Sequence, residues 1–304
     1  MKAIIQNEYG DESKLKVIEV EKPIIDANQV LIKIYSSNIA SGDMRINTLD
    51  VPSFFKLIMK IIFGFKGPRN KIRGITAAGQ IIEVGAKVKS YNIGDKVNFI
   101  SSMKAGCLAE YIAMPEKAVM AKFDDSLSYE EAAPIAFGAM SALRFINKKT
   151  IKQNSNVLIY GASGSVGTYS VCLAKHFGAK VTAVCSGRNK DVVQSIGADK
   201  VIDYEKDDIL DSKVKYDLIF DAVMKFPKKK AKALLKKDGK YLSIIMPTSE
   251  EKSKIELLNN LLLQKKITTV IDKVFSFNDY KAAHKLVYSK HKTGNVIINI
   301  NEKN

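Results

Sequence analysis

The sequence predicts an α/β protein in which a doubly wound parallel sheet is joined to a smaller, mostly-β unit. Three observations lead there. From about Ser126 to residue 265, short apolar strands alternate with helical segments, as in a parallel sheet covered on both faces. A glycine-rich turn at 161–167 lies between a strand and a helix. The first 120 residues carry short alternating strands and turn signals, with few long helices. At 304 residues the chain is long enough for two cores, given roughly 100–200 residues per domain. The changes of pattern divide it into 1–121, a mostly-β unit; 122–265, the parallel-sheet unit; and 266–304, a return to the first.

The elements follow in order. Val30–Tyr35 is β-rich and nearly alternating, Gln80–Val84 stops at Gly85, and Lys96–Ile100 follows the turn pair Gly94-Asp95. Ser128-Tyr129-Glu130-Glu131 has the form of a capping box, opening a helix that carries Ala132, Ala133, Ile135, Ala136 and Ala139. Strands are predicted at 157–160, 180–184, 200–202, 217–220 and 241–245, and helices at 165–177 and near 189–195. A Lys-rich helix separates the last two strands, with Ala231, Leu234 and Leu235 as its apolar stripe. Ile255–Leu263 is expected as a helix on the parallel sheet. The chain closes with a helix near 278–288, a turn at Thr293-Gly294 and a strand at 295–300.

Composition narrows the function classes. Hydrophobic residues make up 46% and charged residues 26%, ordinary for a folded chain. Charge is the departure: 48 Lys+Arg against 32 Asp+Glu gives +16, yet only five of the basic residues are arginine. Such a balance suits nucleic acid, an anionic membrane or an anionic ligand. The lysines are dispersed, and few arginines are available for bidentate contacts. A solvated surface is therefore favoured over a nucleic-acid footprint, even for the dense run Lys228–Lys237. The three cysteines, Cys107, Cys172 and Cys185, are too few for a disulfide framework, and Met1–Glu8 contains no apolar leader. A cytoplasmic location is expected. Phe54–Phe65 includes Lys56 and Lys60 and is too short to span a bilayer, so no membrane partner is expected. Within it, Phe54–Phe63 suits either an apolar lid over the substrate, with Phe55→Ser as its test, or a helix packed on the core.

The turn Gly161-Ala162-Ser163-Gly164-Ser165-Val166-Gly167 carries the most chemistry. It fits the dinucleotide fingerprint with Ala162 first, Gly164 second and Gly167 third. Gly164 would admit a pyrophosphate close to the backbone, and Gly167 would let the helix pack on the strand. The helix start would offer N–H groups to the phosphates. About 20 residues on, where a carboxylate would bind the ribose of NAD, the run is Cys185-Ser186-Gly187-Arg188-Asn189-Lys190. A hydroxyl, a guanidinium and an ammonium suit a 2′-phosphate. The expected cofactor is NADP(H); the alternative is that Arg188 and Lys190 only solvate the next helix.

Further motifs, in order, are Gly42-Asp43-Met44-Arg45, Gly74 to Gly79, Val84-Gly85 and Gly94-Asp95-Lys96-Val97. Ala109-Glu110-Tyr111, Glu131-Ala132-Ala133, Gly197-Ala198-Asp199 with Asp203-Tyr204, Phe220-Asp221-Ala222-Val223 and Thr293-Gly294-Asn295-Val296 follow. Together with the glycine turn, these resemble the medium-chain dehydrogenase/reductase superfamily, in its zinc-independent quinone oxidoreductase branch. The resemblance covers nearly the whole chain. It implies a GroES-like β-domain with an inserted Rossmann domain, and a homodimer. It assigns Ser186, Arg188 and Tyr204 to the 2′-phosphate and Val223 to the cofactor site; Ser141 falls either near the nicotinamide or as a plain helix hydroxyl. Asp43 is placed at the substrate and nicotinamide pocket, with a structural turn as the alternative; Asn38 is carried over to the same pocket although it lies five residues before Asp43, where relatives place Asn three before and this chain has Ala40.

Zinc-dependent relatives carry ligands where this chain has Ala40-Ser41-Gly42-Asp43 and Gly74-Ile75-Thr76, and no His or Cys occurs at either place. His176, His284 and His291 have no ligand spacing, so no metal is expected. Hydride transfer to an electrophilic acceptor, a quinone or an α,β-unsaturated carbonyl, then needs mainly orientation. The competing reading is a nucleic-acid-binding or regulatory NADPH-binding protein of the same fold.

Overall fold

Alternating β-branched residues build the first unit. The structure, a computed structural model, describes residues 1–51, 53–101, 104–211, 213–245 and 249–301, with the backbone alone at 54 and 55. Strands β1 (Lys2–Gln6) and β2 (Leu15–Glu19) pair antiparallel. Then come β3 (Gln29–Ile39), helices α1 (Ser41–Thr48) and α2 (Ser53–Phe63), and strands β4 (Thr76–Val84), β5 (Lys96–Ile100), β6 (Tyr111–Pro115) and β7 (Met120–Lys122). β3 runs past the apolar segment because its polar end has partners in neighbouring strands. Ser37 Oγ donates to Thr76 O at 2.9 Å and Ser36 Oγ to Asn299 Oδ1 at 2.8 Å.

The capping box forms: Ser128 N donates to Glu131 Oε2 (3.0 Å) and Glu131 N to Ser128 Oγ (3.2 Å). It opens α3 (Tyr129–Ala132). Pro134, which lacks an N–H, follows at once, and Ile135–Ala139 continues as a wider π-type turn before α4 (Met140–Phe145). The single long helix expected here is thus broken.

The second unit alternates as predicted: β8 (Asn156–Tyr160), α5 (Ser165–His176), β9 (Lys180–Cys185), α6 (Lys190–Ser195), β10 (Lys200–Asp203), β11 (Tyr216–Asp221), α7 (Lys228–Leu234) and β12 (Leu235–Ser243). All pairings are parallel, in the order β10-β9-β8-β11-β12. This is the doubly wound sheet, with its reversal of direction between β8 and β11. α7 buries Ala231 and Leu234 and turns its lysines outward, but Leu235 starts β12 instead of completing the helical stripe.

Helix α8 (Lys252–Leu263) follows, then β13 (Ile271–Phe275), α9 (Tyr280–Tyr288) and β14 (Asn295–Asn299). β14 lies antiparallel to β3, with Ile297 opposite Asn38, and completes a seven-stranded sheet. Two compact units result: Met1–Phe137, Glu251–Asn259 and Ile271–Asn304 in one, Gly138–Glu250 and Asn260–Val270 in the other. α8 was expected to belong to the parallel sheet. Most of it is counted with the first unit, where Asn259 and Asn98 exchange amide hydrogen bonds at 2.9 Å. The first core gathers Ile4, Leu15, Ile32, Phe99, Leu108 and Val296; the second gathers Leu158, Val184, Tyr216, Ile219 and Leu234. No helix among the described residues is long and apolar enough to cross a membrane.

Candidate cofactor and substrate sites

The glycine turn in the second unit is shaped by its own backbone. Gly161 and Ala162 both donate N–H bonds to Val184 O at 3.0 Å, pinning the turn to β9. Gly161 has φ +76° and packs against Val223, whose Cγ1 would lie 2.6 Å from an added Cβ. A Cβ on Gly167 would lie 2.1 Å from Gly161 O and 2.8 Å from Ala162 C. Gly164 differs: its nearest neighbour would be 3.6 Å away, so space over it is open. It caps α5, whose first N–H groups have no intrahelical partner in an α-helix and carry partial positive charge. Ser163, Ser165 and Val166 are half-exposed at that end; Ala162 and Gly167 are buried.

The end of β9 is tied to this turn. Asn189 Nδ2 donates to Ser163 Oγ and to Ser186 Oγ, each at 3.1 Å, and so links the phosphate turn to the expected 2′-phosphate position. Ser186 is buried and Arg188 exposed. Tyr204 is exposed just beyond β10, with its N–H donating to Cys185 O at 3.2 Å. It lines a cavity of about 410 Å³ with Tyr160, Val184, Ile202, Phe226 and Lys230. That cavity opens where β8, β9 and β10 end, the end at which doubly wound sheets bind ligands. Val223 is held by Asp221, a buried carboxylate that also accepts from Phe226 N (2.9 Å) and Tyr241 Oη (3.0 Å). Ser141 is buried on α4; at Gly138, just before that helix, an added Cβ would lie 2.5 Å from Ser165 Oγ.

Sequence reasoning missed two residues here. Asn189 stood in the run but was given no role. Asp203 pairs with Cys185 in the β10–β9 register, and its Oδ2 would lie 2.4 Å from a Cβ on Gly187. Burial, and then this carboxylate, push the Cys185 thiol up to about 11.

In the first unit Asn38 and Asp43 lie in an enclosed polar cluster, exposing 0% and 1% of their surface. Asn38 stands opposite Thr76 in the β3–β4 register. Both polar atoms of Asn38, Thr76 Oγ1 and Asp43 Oδ1 have no partner among the described residues. Asp43 Oδ2 accepts from Ala40 N at 2.9 Å, closing the first turn of α1. Burial raises the Asp43 carboxyl to about 6, against the opposing pull of the Ala40 N–H and of Arg73. Arg73 is itself buried, donating Nε to Asn47 Oδ1 at 2.8 Å, and Asn47 Nδ2 donates to Tyr288 Oη at 3.1 Å. His284 donates Nδ1–H to Tyr280 O at 2.8 Å, which leaves Nε2 as a buried acceptor without a partner among the described residues. Arg73 was not singled out from the sequence, and His284 was weighed only as a metal ligand. The available signal was Arg73 itself, one of only five arginines, directly before the motif glycine Gly74. The lid reading of 54–63 has Phe55 as its test, and the side chains of Phe54 and Phe55 lie outside the described residues.

Residues 26–124 match a family profile described as an alcohol dehydrogenase GroES-like domain, and residues 165–289 one described as a zinc-binding dehydrogenase. A chloroplastic quinone oxidoreductase of Triphysaria versicolor is 31% identical, with 98% of each chain covered. The chain belongs to the medium-chain dehydrogenase/reductase superfamily. Another relative in this superfamily, the tomato 2-methylene-furan-3-one reductase, is 31% identical over 98% of this chain and 79% of its own. An Arabidopsis thaliana NADPH-dependent alkenal/one oxidoreductase is 29% identical with the same coverage. The solved quinone oxidoreductase of Coxiella burnetii, 24% identical, superposes with a TM-score of 0.87 over 99% of both chains and shares the fold.

One family profile names zinc. Among the described residues no three His, Cys, Asp or Glu side chains gather where they could hold a metal ion. Cys107 is enclosed, and burial, with the Asp43 charge beside it, pushes its thiol well above the ordinary range. The described donor set does not fit zinc.

Proposed function

We propose that the chain is an NADPH-dependent oxidoreductase that passes a hydride to a quinone or an α,β-unsaturated carbonyl without zinc. The observation that carries this reading is the open backbone at Gly164 and the start of α5, joined through Asn189 to the Ser186 hydroxyl, two residues before the exposed Arg188. The alkenal and quinone oxidoreductase relatives support the acceptor class.

The bound cofactor would supply the hydride from its nicotinamide. The chain's residues do the rest. Gly164 and the first N–H groups of α5 bind the pyrophosphate. Ser186, Arg188 and Tyr204 hold the 2′-phosphate, Arg188 by charge-assisted hydrogen bonds. Asn189 fixes the two phosphate sites relative to each other, and Asp221 holds the Val223 turn against Gly161. Solvent supplies the proton that follows the hydride. A homodimer and a cytoplasmic location belong to the same proposal; the three buried free cysteines suit a reducing compartment.

NADH is the competing cofactor, and Asp203 favours it: a carboxylate beside Gly187 would repel a 2′-phosphate. Arg188→Ala discriminates. On the NADPH reading it weakens NADPH binding by about 10–100-fold, the worth of a charged hydrogen bond, and leaves NADH binding unchanged. Titration of both cofactors by fluorescence reads this directly; equal affinity for both cofactors, untouched by the substitution, sinks it. Turnover should then be found with quinones or enones, and inactivity on both classes removes the enzymatic reading.

A further inference from the structure

We propose that α2 is a membrane-docking helix that seats the protein peripherally on an anionic lipid surface. Leu57, Ile58, Ile61, Ile62 and Phe65 each expose 43–60% of their surface. Their spacing places them along one stripe of the helix and its exit turn. Soluble chains seldom leave five large apolar side chains together in water.

The surrounding charge selects the partner. Between Ser53 and Lys71 the chain carries Lys56, Lys60, Lys66, Arg69 and Lys71 and no acidic residue. None of these five forms an ion pair among the described residues. An apolar stripe bordered by lysines matches the boundary between anionic headgroups and acyl chains. A second copy of this face would bring like charges together. A nucleic acid would leave the aliphatic side chains without a use.

The helix is also a fixed platform. Tyr9 Oη donates to Gly64 O at 2.8 Å, and Arg69 Nη2 donates to Ile61 O at 2.9 Å. Gly64, at φ +126°, turns the chain out of the helix. The 11 residues of α2 span about 16 Å, far less than the ~30 Å of a bilayer core. The helix therefore lies in the interface and does not cross it. This revises the expectation of no membrane partner for surface contact, not for insertion across the bilayer.

The test uses the full chain with vesicles of phosphatidylcholine, alone or mixed with phosphatidylglycerol. Co-flotation is expected with the mixed vesicles and not with phosphatidylcholine alone. Lys56→Gln with Lys60→Gln should weaken it about tenfold or more, and Leu57→Gln with Ile62→Gln by at least about tenfold. The chain has no tryptophan, so Ile61→Trp is a single reporter, and its emission should shift to the blue on mixed vesicles. These sites are exposed except Lys60, which is half-buried, so melting temperatures matching the parent separate lost docking from lost folding. No co-flotation overturns the proposal. So does co-flotation with unchanged Ile61→Trp emission, which assigns binding to lysines elsewhere. A blue shift without vesicles that grows with protein concentration overturns it in favour of a second copy of this chain.

Discussion

Gly167→Ala is expected to damage both the stability of the second unit and its cofactor binding. The added methyl would sit 2.1 Å from Gly161 O and 2.8 Å from Ala162 C and Cα. All three obstructing atoms are backbone, and Gly161 and Ala162 are pinned to Val184 O, so nothing flexible can move aside. The cost lies at the upper end of overpacking, about 3 kcal/mol. At ~2–4 °C per kcal/mol this lowers the melting temperature by roughly 6–12 °C. Circular dichroism melts read that loss, and an NADPH titration reads the distortion of the turn.

Gly164→Ala is the control. Its methyl meets nothing nearer than 3.6 Å, so the melt should stay within about 1 °C of the parent. It would still stand between the backbone and a pyrophosphate, and NADPH affinity should fall about tenfold or more. Normal NADPH binding by Gly164→Ala would show that no pyrophosphate approaches this turn.

These contrasts explain what the sequence makes legible. The demand for glycine at 167 arises six residues away, at Gly161, within one strand–turn–helix unit, so a linear motif carries it. The capping box at Ser128 and Glu131 is local in the same way. Asp203 beside Gly187 depends instead on how β10 registers against β9, and Asn189 matters only because it reaches Ser163. The cluster around Asp43 is less accessible still. α9 and the segment before β4, which β1 holds at Arg73, must assemble before Arg73 and His284 influence one another, although more than 200 residues separate them. The stripe on α2 is a different kind of miss. Its apolar residues are plain in the sequence, but helical spacing alone does not say whether a neighbour covers them, and among the described residues they stay 43–60% exposed.

Asp43 and His284 should give this unit two opposed pH dependences. The Asp43 carboxyl is raised from 3.8 to about 6, chiefly by burial, so the fold prefers its protonated form. Its contribution is present below about pH 4 and is lost as pH rises through about 6. The His284 imidazole is lowered from 6.5 to about 4, again chiefly by burial, with the Arg73 charge adding to the effect. The fold prefers it neutral, so stability is lost as pH falls from about 6.5 through 4. Each shift of about two units is worth about 3 kcal/mol, and between pH 4 and 6 the two largely offset. Single substitutions should expose them. Asp43→Asn keeps an acceptor for the Ala40 N–H, and relative to the parent it should gain about 3 kcal/mol as pH rises from 4 to 7. His284→Asn keeps a donor for Tyr280 O, and relative to the parent it should gain a similar amount as pH falls over the same range. Urea unfolding at intervals from pH 4 to 7 measures both differences, and packing changes enter only as constant offsets. Slopes of the same sign would exclude the opposition. Because Arg73 acts on both groups, the double variant should depart from additivity, as expected for residues that share a buried charge.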